Sequence, residues 1–228
     1  MTNNLLTNKE KFFDLWAPNY DFLLTTVFYQ AIHKRLLEYV ELPNQPNILD
    51  LGCGTGRLLN RLATQFPTLQ ATGLDLSAQM LRQAQQRNRH GVRLVYKQGN
   101  AESLPFADSQ FDAVFNTLSF LHYPNPQQVF SEVSRVLRPR GLFYLVDSTV
   151  REETGAGYFP FSPGGIRLYS SQRREEFGLA AGLECLGHHY LLGAILLTVF
   201  AKLEAFAPPK SPKSGGRVKI RFPPGLGG

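Results

Sequence analysis

Apolar positions along this chain fall into two rhythms that replace each other in turn. Residues 47–51 (Asn-Ile-Leu-Asp-Leu) are an apolar run of strand length, and Leu58, Leu59, Leu62, Ala63 and Phe66 follow at helical spacing. Residues 70–76 read as a second strand, after which Ser77 is placed to cap a helix carrying Met80, Leu81 and Ala84. A third strand is expected over 92–96 and a fourth over 111–118. Next come a helix with Val129, Val133, Val136 and Leu137 on one face and a strand over 141–147. Residues 148–171, rich in Gly, Tyr, Phe and Pro, read as a long irregular insertion. A helix over 170–181 and two strands over 183–190 and 192–201 close the pattern, with Gly193 near their turn. Strand alternating with helix predicts an α/β fold, a doubly wound and mostly parallel sheet with helices on both faces.

Upstream, Phe12, Phe13, Leu15 and Trp16 precede Pro18, and a second helical run holds Val27, Ala31, Leu36, Leu37 and Val40. Pro18 is expected to interrupt the first helix and leave 16–21 as a turn. Residues 1–46 are therefore read as a helical lid, with Trp16 and Tyr20 closing over a ligand. Residues 47–206 are read as the main domain.

Composition changes this picture little: 228 residues with 43% hydrophobic content suit one domain with a full core. The net charge of +6 is another matter. Residues 207–228 hold Lys210, Lys213, Arg217, Lys219 and Arg221 and no acid, so the rest of the chain is nearly neutral. That basic Pro/Gly-rich tail reads as a disordered, solvated end, with no nucleic-acid partner expected. Cys53 and Cys185 give neither metal spacing nor a disulfide framework, which suggests a reducing, cytoplasmic setting. The start of the chain lacks the pattern of an export signal. The longest apolar stretch, 190–200, falls short of the ~20 residues a membrane helix requires.

The chemistry concentrates where the first strand ends, at Asp50-Leu51-Gly52-Cys53-Gly54-Thr55-Gly56. Glycines at a strand-to-helix turn let the backbone approach a ligand and present free N–H groups. A dinucleotide fingerprint, Gly-x-Gly-x-x-Gly, would need a glycine at position 57, which is Arg57. Asp75, 19 residues beyond Gly56 at the end of the second strand, is where a carboxylate accepts hydrogen bonds from ribose hydroxyls.

The pattern Asp-x-Gly-x-Gly-x-Gly resembles motif I of the class I S-adenosylmethionine-dependent methyltransferases, methyltransferase type 11. Their cofactor carries an ammonium and a sulfonium and no phosphate, so Asp50 is in keeping with it. Trp16-Ala17-Pro18-Asn19-Tyr20-Asp21 resembles the start of quinone-biosynthesis C-methyltransferases, in which the tyrosine reaches the cofactor pocket. Gly99-Asn100-Ala101-Glu102-Ser103-Leu104-Pro105-Phe106 resembles the family's Gly-Asp-Ala-x-x-Leu-Pro-Phe segment, with Asn100 in place of the acid that reads the adenine amino group. An amide oxygen still accepts that bond, without the charge. Where the family has Leu-Lys-Pro-Gly-Gly, this chain has Leu137-Arg138-Pro139-Arg140-Gly141.

The resemblance implies a seven-stranded Rossmann-like sheet whose last strand is antiparallel, and S-adenosyl-L-methionine as cofactor. Gly52, Cys53, Gly54 and Gly56 would hold the methionine end beside Asp50, and Asp75, Leu76 and Met80 the ribose side. Asn100, Ala101 and Glu102 would line the adenine side. The end of the fourth strand would line the pocket beside the transferred methyl, with Asn116 a candidate for the methionine amino end through its backbone or amide oxygen, and Leu121 among the cofactor-binding residues. Tyr20 would complete the pocket from the lid. His122 is a candidate base that removes a proton from the acceptor, or else a residue packing over adenine. The acceptor is expected to be a small lipophilic or aromatic molecule, and the basic tail suits contact with an anionic membrane surface. A nicotinamide-dependent oxidoreductase and a non-catalytic S-adenosylmethionine-binding module are the rival readings.

Overall fold

The alternating rhythms become α1 (Leu23–Leu36), β1 (Asn47–Leu51), α2 (Arg57–Gln65), β2 (Gln70–Asp75), α3 (Ala78–Arg87), β3 (Leu94–Gln98) and β4 (Phe111–Thr117). They continue as α4 (Pro126–Val136), β5 (Leu137–Ser148), β6 (Ala156–Phe159), β7 (Ile166–Tyr169), α5 (Ser171–Ala180), β8 (Leu183–Leu192) and β9 (Ile195–Lys202). The computed structural model describes residues 7–11, 14, 23–160 and 165–204. Trp16, Tyr20 and the basic tail lie outside the described residues.

Seven strands form one sheet in the order β3-β2-β1-β4-β5-β9-β8. The first five pair in parallel, while β9 runs antiparallel to both β5 and β8, as expected for a doubly wound sheet with a reversed last strand. Side chains alternate between the two faces of each strand, and that alternation divides the core. Leu49 and Leu51 face the layer of α4 and α5, with Phe130, Val133 and Phe177. Ile48 faces α1 and α2, with Ile32, Leu36, Leu59 and Leu62. Because β1 and β4 lie beside each other with α2 following one and α4 packed near the other, the strand order reverses there. A crevice opens at the carboxyl ends of strands at such a point. Among the described residues, no helix is long and apolar enough to cross a membrane.

Three expectations need correction. The third strand begins at Leu94, two residues late, because residues 91–93 turn as a short 3-10 helix that leaves Val92 91% exposed. An apolar residue had extended the strand pattern into a turn. Residues 148–171 are not wholly irregular, since β6 and β7 pair as an antiparallel hairpin there. Its glycines and exposed aromatics carry no period-2 signal, and Arg167 over the Tyr158 ring helps to hold it. Finally, β5 starts at Leu137 rather than 141, with a register shift between Phe111 and Ala113 of its partner.

Arg140 occupies the left-handed region at φ 65°, where a side chain costs roughly 1–2 kcal/mol. Its ion pair with Glu204 is 3.6 Å long between exposed side chains, so it offsets little of that cost. Arg140→Gly is therefore expected to stabilise the chain by about 1 kcal/mol, read as a raised urea midpoint at unchanged slope.

Candidate functional site

A cleft of about 880 Å3, its open mouth included, lies over the carboxyl ends of β1, β2 and β4. It brings together Gly52, Gly54, Asp75, Leu76, Met80, Asn100, Ala101 and His122 from the sequence expectation. Asp75 is the hinge of the arrangement. One carboxylate oxygen accepts the Gly54 N–H at 2.8 Å and the other the Ser77 N–H at 2.9 Å, so this side chain ties the glycine loop to the start of α3. Ser77 in turn caps α3 by accepting the Met80 N–H at 3.1 Å. Burial pushes the Asp75 carboxyl upward, against the backbone N–H bonds that favour its ionised form. The carboxylate keeps acceptor capacity for a further donor.

The glycines serve shape more than donation. The N–H groups of Gly52 and Cys53 bond to Leu74 O, that of Gly54 to Asp75 and that of Gly56 to Cys53 O, so the expectation of free N–H groups at these four residues does not hold. At Gly52, φ is 67° and an added Cβ would meet Ser119 Oγ at 2.4 Å. At Gly54, φ is 52° and an added Cβ would enter open space. The first glycine is thus needed for packing under the loop and the second leaves room for a ligand above it.

Several expected residues stand elsewhere. Asp50 and Cys53 line a smaller cavity beneath the loop with Tyr29 and His33 of α1, because residue 50 faces the α1 side of the sheet. Burial, then the nearby Asp75, pushes the Asp50 carboxyl well above its usual range. Gly56 turns away, toward Tyr96 and Ala84. Glu102 accepts the Asn125 N–H at 2.8 Å, outside the cleft lining. Leu121 donates its N–H to Asp147 at 3.0 Å and is likewise absent from the lining.

Asn116 is fully buried behind the wall. Its amide nitrogen lies 3.0 Å from Leu51 O, 2.8 Å from Ser119 Oγ and 2.9 Å from Tyr123 Oη, which places it as a brace for residues that do line the cleft. Its own oxygen meets no partner among the described residues.

Residues absent from the sequence expectation complete the wall. Thr117, Leu118 and Ser119 line it where β4 ends, Leu118 in the left-handed region at φ 56°. Lys9, 3% exposed, reaches in from the N-terminal segment and donates to the His122 carbonyl. From the same segment, Asp14 accepts from the Ser77 hydroxyl and the Gln79 N–H, and Glu10 accepts from Gln98. Lys9, Glu10 and Asp14 thus fasten the described N-terminal residues across the carboxyl ends of β2, β3 and β4. Their signal in sequence was a Lys-Glu-Lys-x-x-Asp stretch that reads as an ordinary solvated helix face.

Burial and the Lys9 charge lower the His122 pKa to about 4. His33 is lowered further, to about 3, by burial and then by Arg61 and Arg57. Both rings are neutral at physiological pH. A base depressed in the fold contributes stability that is present above its unfolded value, near 6.5, and lost as pH falls toward its folded value. Relative to His33→Leu, the wild-type chain is expected to lose about 1 kcal/mol per pH unit below pH 6.5. Urea denaturation of both chains between pH 7 and 5 checks this, and carboxylates common to the two cancel.

The cleft has the chemistry of a site for S-adenosylmethionine. It sets a hydroxyl-accepting carboxylate at Asp75, an amide oxygen at Asn100, open room at Gly54 and apolar walls at Leu74, Leu76 and Met80. The neighbouring carboxyls of Asp50 and Asp75, each pushed upward in pKa, make the loop a poor seat for a further anion such as a phosphate.

Residues 49–145 match the family model for a methyltransferase domain. The chain is 35% identical to a demethylmenaquinone methyltransferase of Lactiplantibacillus plantarum over 61% of this chain and 62% of that protein. It is 36% identical to a fatty-acid O-methyltransferase of Mycolicibacterium smegmatis over 60% of this chain and 49% of that one. It therefore spans less than two thirds of the length of either relative. In fold, it is similar to a chain from the complex of the Haloferax volcanii Trm112 methyltransferase activator with a methyltransferase, at a TM-score of 0.74 and 20% identity, over 84% of this chain and 98% of that one. The sheet order, the cleft and the matched domain agree, and residues 49–145 form a domain similar to the S-adenosylmethionine-dependent methyltransferases.

Proposed function

We propose that this chain transfers the methyl group of S-adenosylmethionine to a nucleophilic atom of a small, lipophilic acceptor. The observation that carries this reading is the joining, in one cleft, of the glycine loop, Asp75 and Asn100 with an apolar wall. When bound, S-adenosylmethionine supplies a methyl group on a sulfonium, already a good leaving group. The chain's task is then to bind, orient and exclude water, and alignment of this kind can offset ~7–11 kcal/mol of barrier.

In this reading Gly52 and Gly54 shape the seat of the methionine end, over Asp50 and Cys53. Asp75 accepts the ribose hydroxyls beside Leu76 and Met80, and Asn100 with Ala101 meets adenine. Thr117, Leu118 and Ser119 form the wall toward the acceptor, braced by Asn116. His122, neutral at physiological pH, accepts a hydrogen bond from the acceptor more readily than it carries off a proton, because a base depressed to about 4 is poorly matched to pH 7. Lys9, Glu10 and Asp14, fastened over the cleft, help to close it against water.

Binding is tested by calorimetry with S-adenosylhomocysteine: one equivalent is expected per wild-type chain, and no heat of binding would overturn the reading. For the acceptor, the names of the two relatives both point to lipophilic substrates, a quinone and a fatty acid. The apolar wall of Leu118, Tyr123 and Pro124 favours such a partner over a charged one. Extracts of cells lacking the protein are expected to lose a methylated quinone or fatty acid, and unchanged pools of both would defeat this assignment.

A further inference from the structure

Glu175 of α5 and Cys185 and His188 of β8 meet at the sheet edge, on strands remote from the cleft. Residues three apart on a regular strand point to opposite faces. Here the pairing of β8 with β9 slips between Cys185 and Gly187, and this bulge brings residues 185 and 188 to the same side. Cys185 Sγ lies 3.6 Å from His188 Nε2. A tetrahedral zinc ion with the usual bond lengths holds a sulfur and a nitrogen about 3.6 Å apart.

Glu175 Oε1 stands 2.8 Å from the same Nε2. It would have to retreat by roughly 0.6 Å to share an ion with it, which a half-exposed side chain can do. All three donor atoms lie within 4.8 Å of one another. Behind the ring, the buried Thr198 hydroxyl sits 3.0 Å from His188 Nδ1. A proton on Nδ1 donated to that oxygen leaves the Nε2 lone pair aimed at the cluster, the outer-shell arrangement of metal-bound histidines.

We propose that Glu175, Cys185 and His188 bind a divalent cation of the zinc class, with water as fourth ligand. One thiolate, one imidazole and one carboxylate suit such a borderline-soft ion, whereas calcium and magnesium take oxygen donors. Binding releases the thiol proton of Cys185 to solvent. The ion links α5 to β8, the exposed edge of the sheet, and this assignment does not depend on the methyl-transfer reading.

The test is titration of the full chain with Zn2+ against a chromophoric chelator, and with Co2+ by absorption. One equivalent of zinc is expected, with a thiolate-to-cobalt charge-transfer band and a higher thermal midpoint in zinc. Cys185→Ser is expected to lose the band and the thermal shift. His188→Gln is expected to bind zinc at least about tenfold more weakly. Glu175→Gln, an exposed change that should leave the fold intact without metal, is expected to weaken binding as well. No zinc bound by the wild type, a cobalt complex without the thiolate band, or equal affinity in Glu175→Gln and the wild type would overturn the proposal.

Discussion

Replacing Asp75 with alanine is expected to lower affinity for S-adenosylhomocysteine by about 100-fold or more. The carboxylate is central because it does two things at once. It accepts the Gly54 and Ser77 N–H groups and so fixes the distance between the glycine loop and the start of α3. It also offers the remaining lone pairs to the ribose. Hydrogen bonds to a charged group are worth roughly 1.5–3 kcal/mol each, so loss of two ribose bonds alone exceeds a 100-fold change. Asp75→Asn is a sharper probe of the same point. Its amide nitrogen must face either the Gly54 or the Ser77 N–H, donor against donor, so it too is expected to bind poorly although it keeps the shape. Circular dichroism of both variants separates a lost ligand from a lost fold, and a folded Asp75→Ala chain that binds like wild type would remove Asp75 from the site.

The largest effect on stability is expected at Arg174. Its guanidinium is 1% exposed and donates to Leu196 O at 3.0 Å, Asp147 O at 3.1 Å and Ser148 O at 2.9 Å, which joins the end of β5 to β9. Asp147 lies close by, its pKa raised to about 6 by burial and held down by this cation. Arg174→Met fills much of the same space but leaves three carbonyls and a buried carboxylate without their partner. Breaking such an arrangement costs about 3–5 kcal/mol.

The pH dependence has a definite sign. A carboxyl raised in the fold contributes stability at low pH that is lost as pH rises through its folded pKa. Without Arg174 the Asp147 carboxyl rises further, so the deficit of Arg174→Met is expected to be larger at pH 8 than at pH 5 in urea denaturation. Equal deficits at the two values would mean that Asp147 does not depend on this cation. Because Asp147 also accepts the Leu121 N–H, the loss reaches the loop that carries His122.

Legibility in the sequence followed the range of the interactions. Strands β1 and β4 were readable because each is largely apolar on both faces over a short run, and the glycine loop because its spacing is local. The same locality made Asp75 visible, since it ends a strand. Lys9 and Asp14 were invisible because their partners, the His122 carbonyl and the Ser77 hydroxyl, lie over 60 residues away in the chain. Asn116 was placed at the right strand but on the wrong side of the wall, because period-2 alternation does not say which polar residue faces ligand and which braces its neighbours. The β6–β7 hairpin escaped notice because Gly157 and exposed Tyr158 and Phe159 interrupt any alternation of inside and outside. The free N–H groups expected of the glycine loop were absent for a related reason. Leu74 O and Asp75 of the next strand consume them, which only tertiary structure reveals.

The most direct test of methyl transfer is to incubate the chain with methyl-labelled S-adenosylmethionine and a lipid extract, and to identify the labelled product. Label in a small lipophilic molecule, lost with Asp75→Ala, is the predicted result. A chain that binds S-adenosylhomocysteine yet passes no label to any component of lipid or aqueous extracts would contradict it, and would leave a binding module in place of an enzyme.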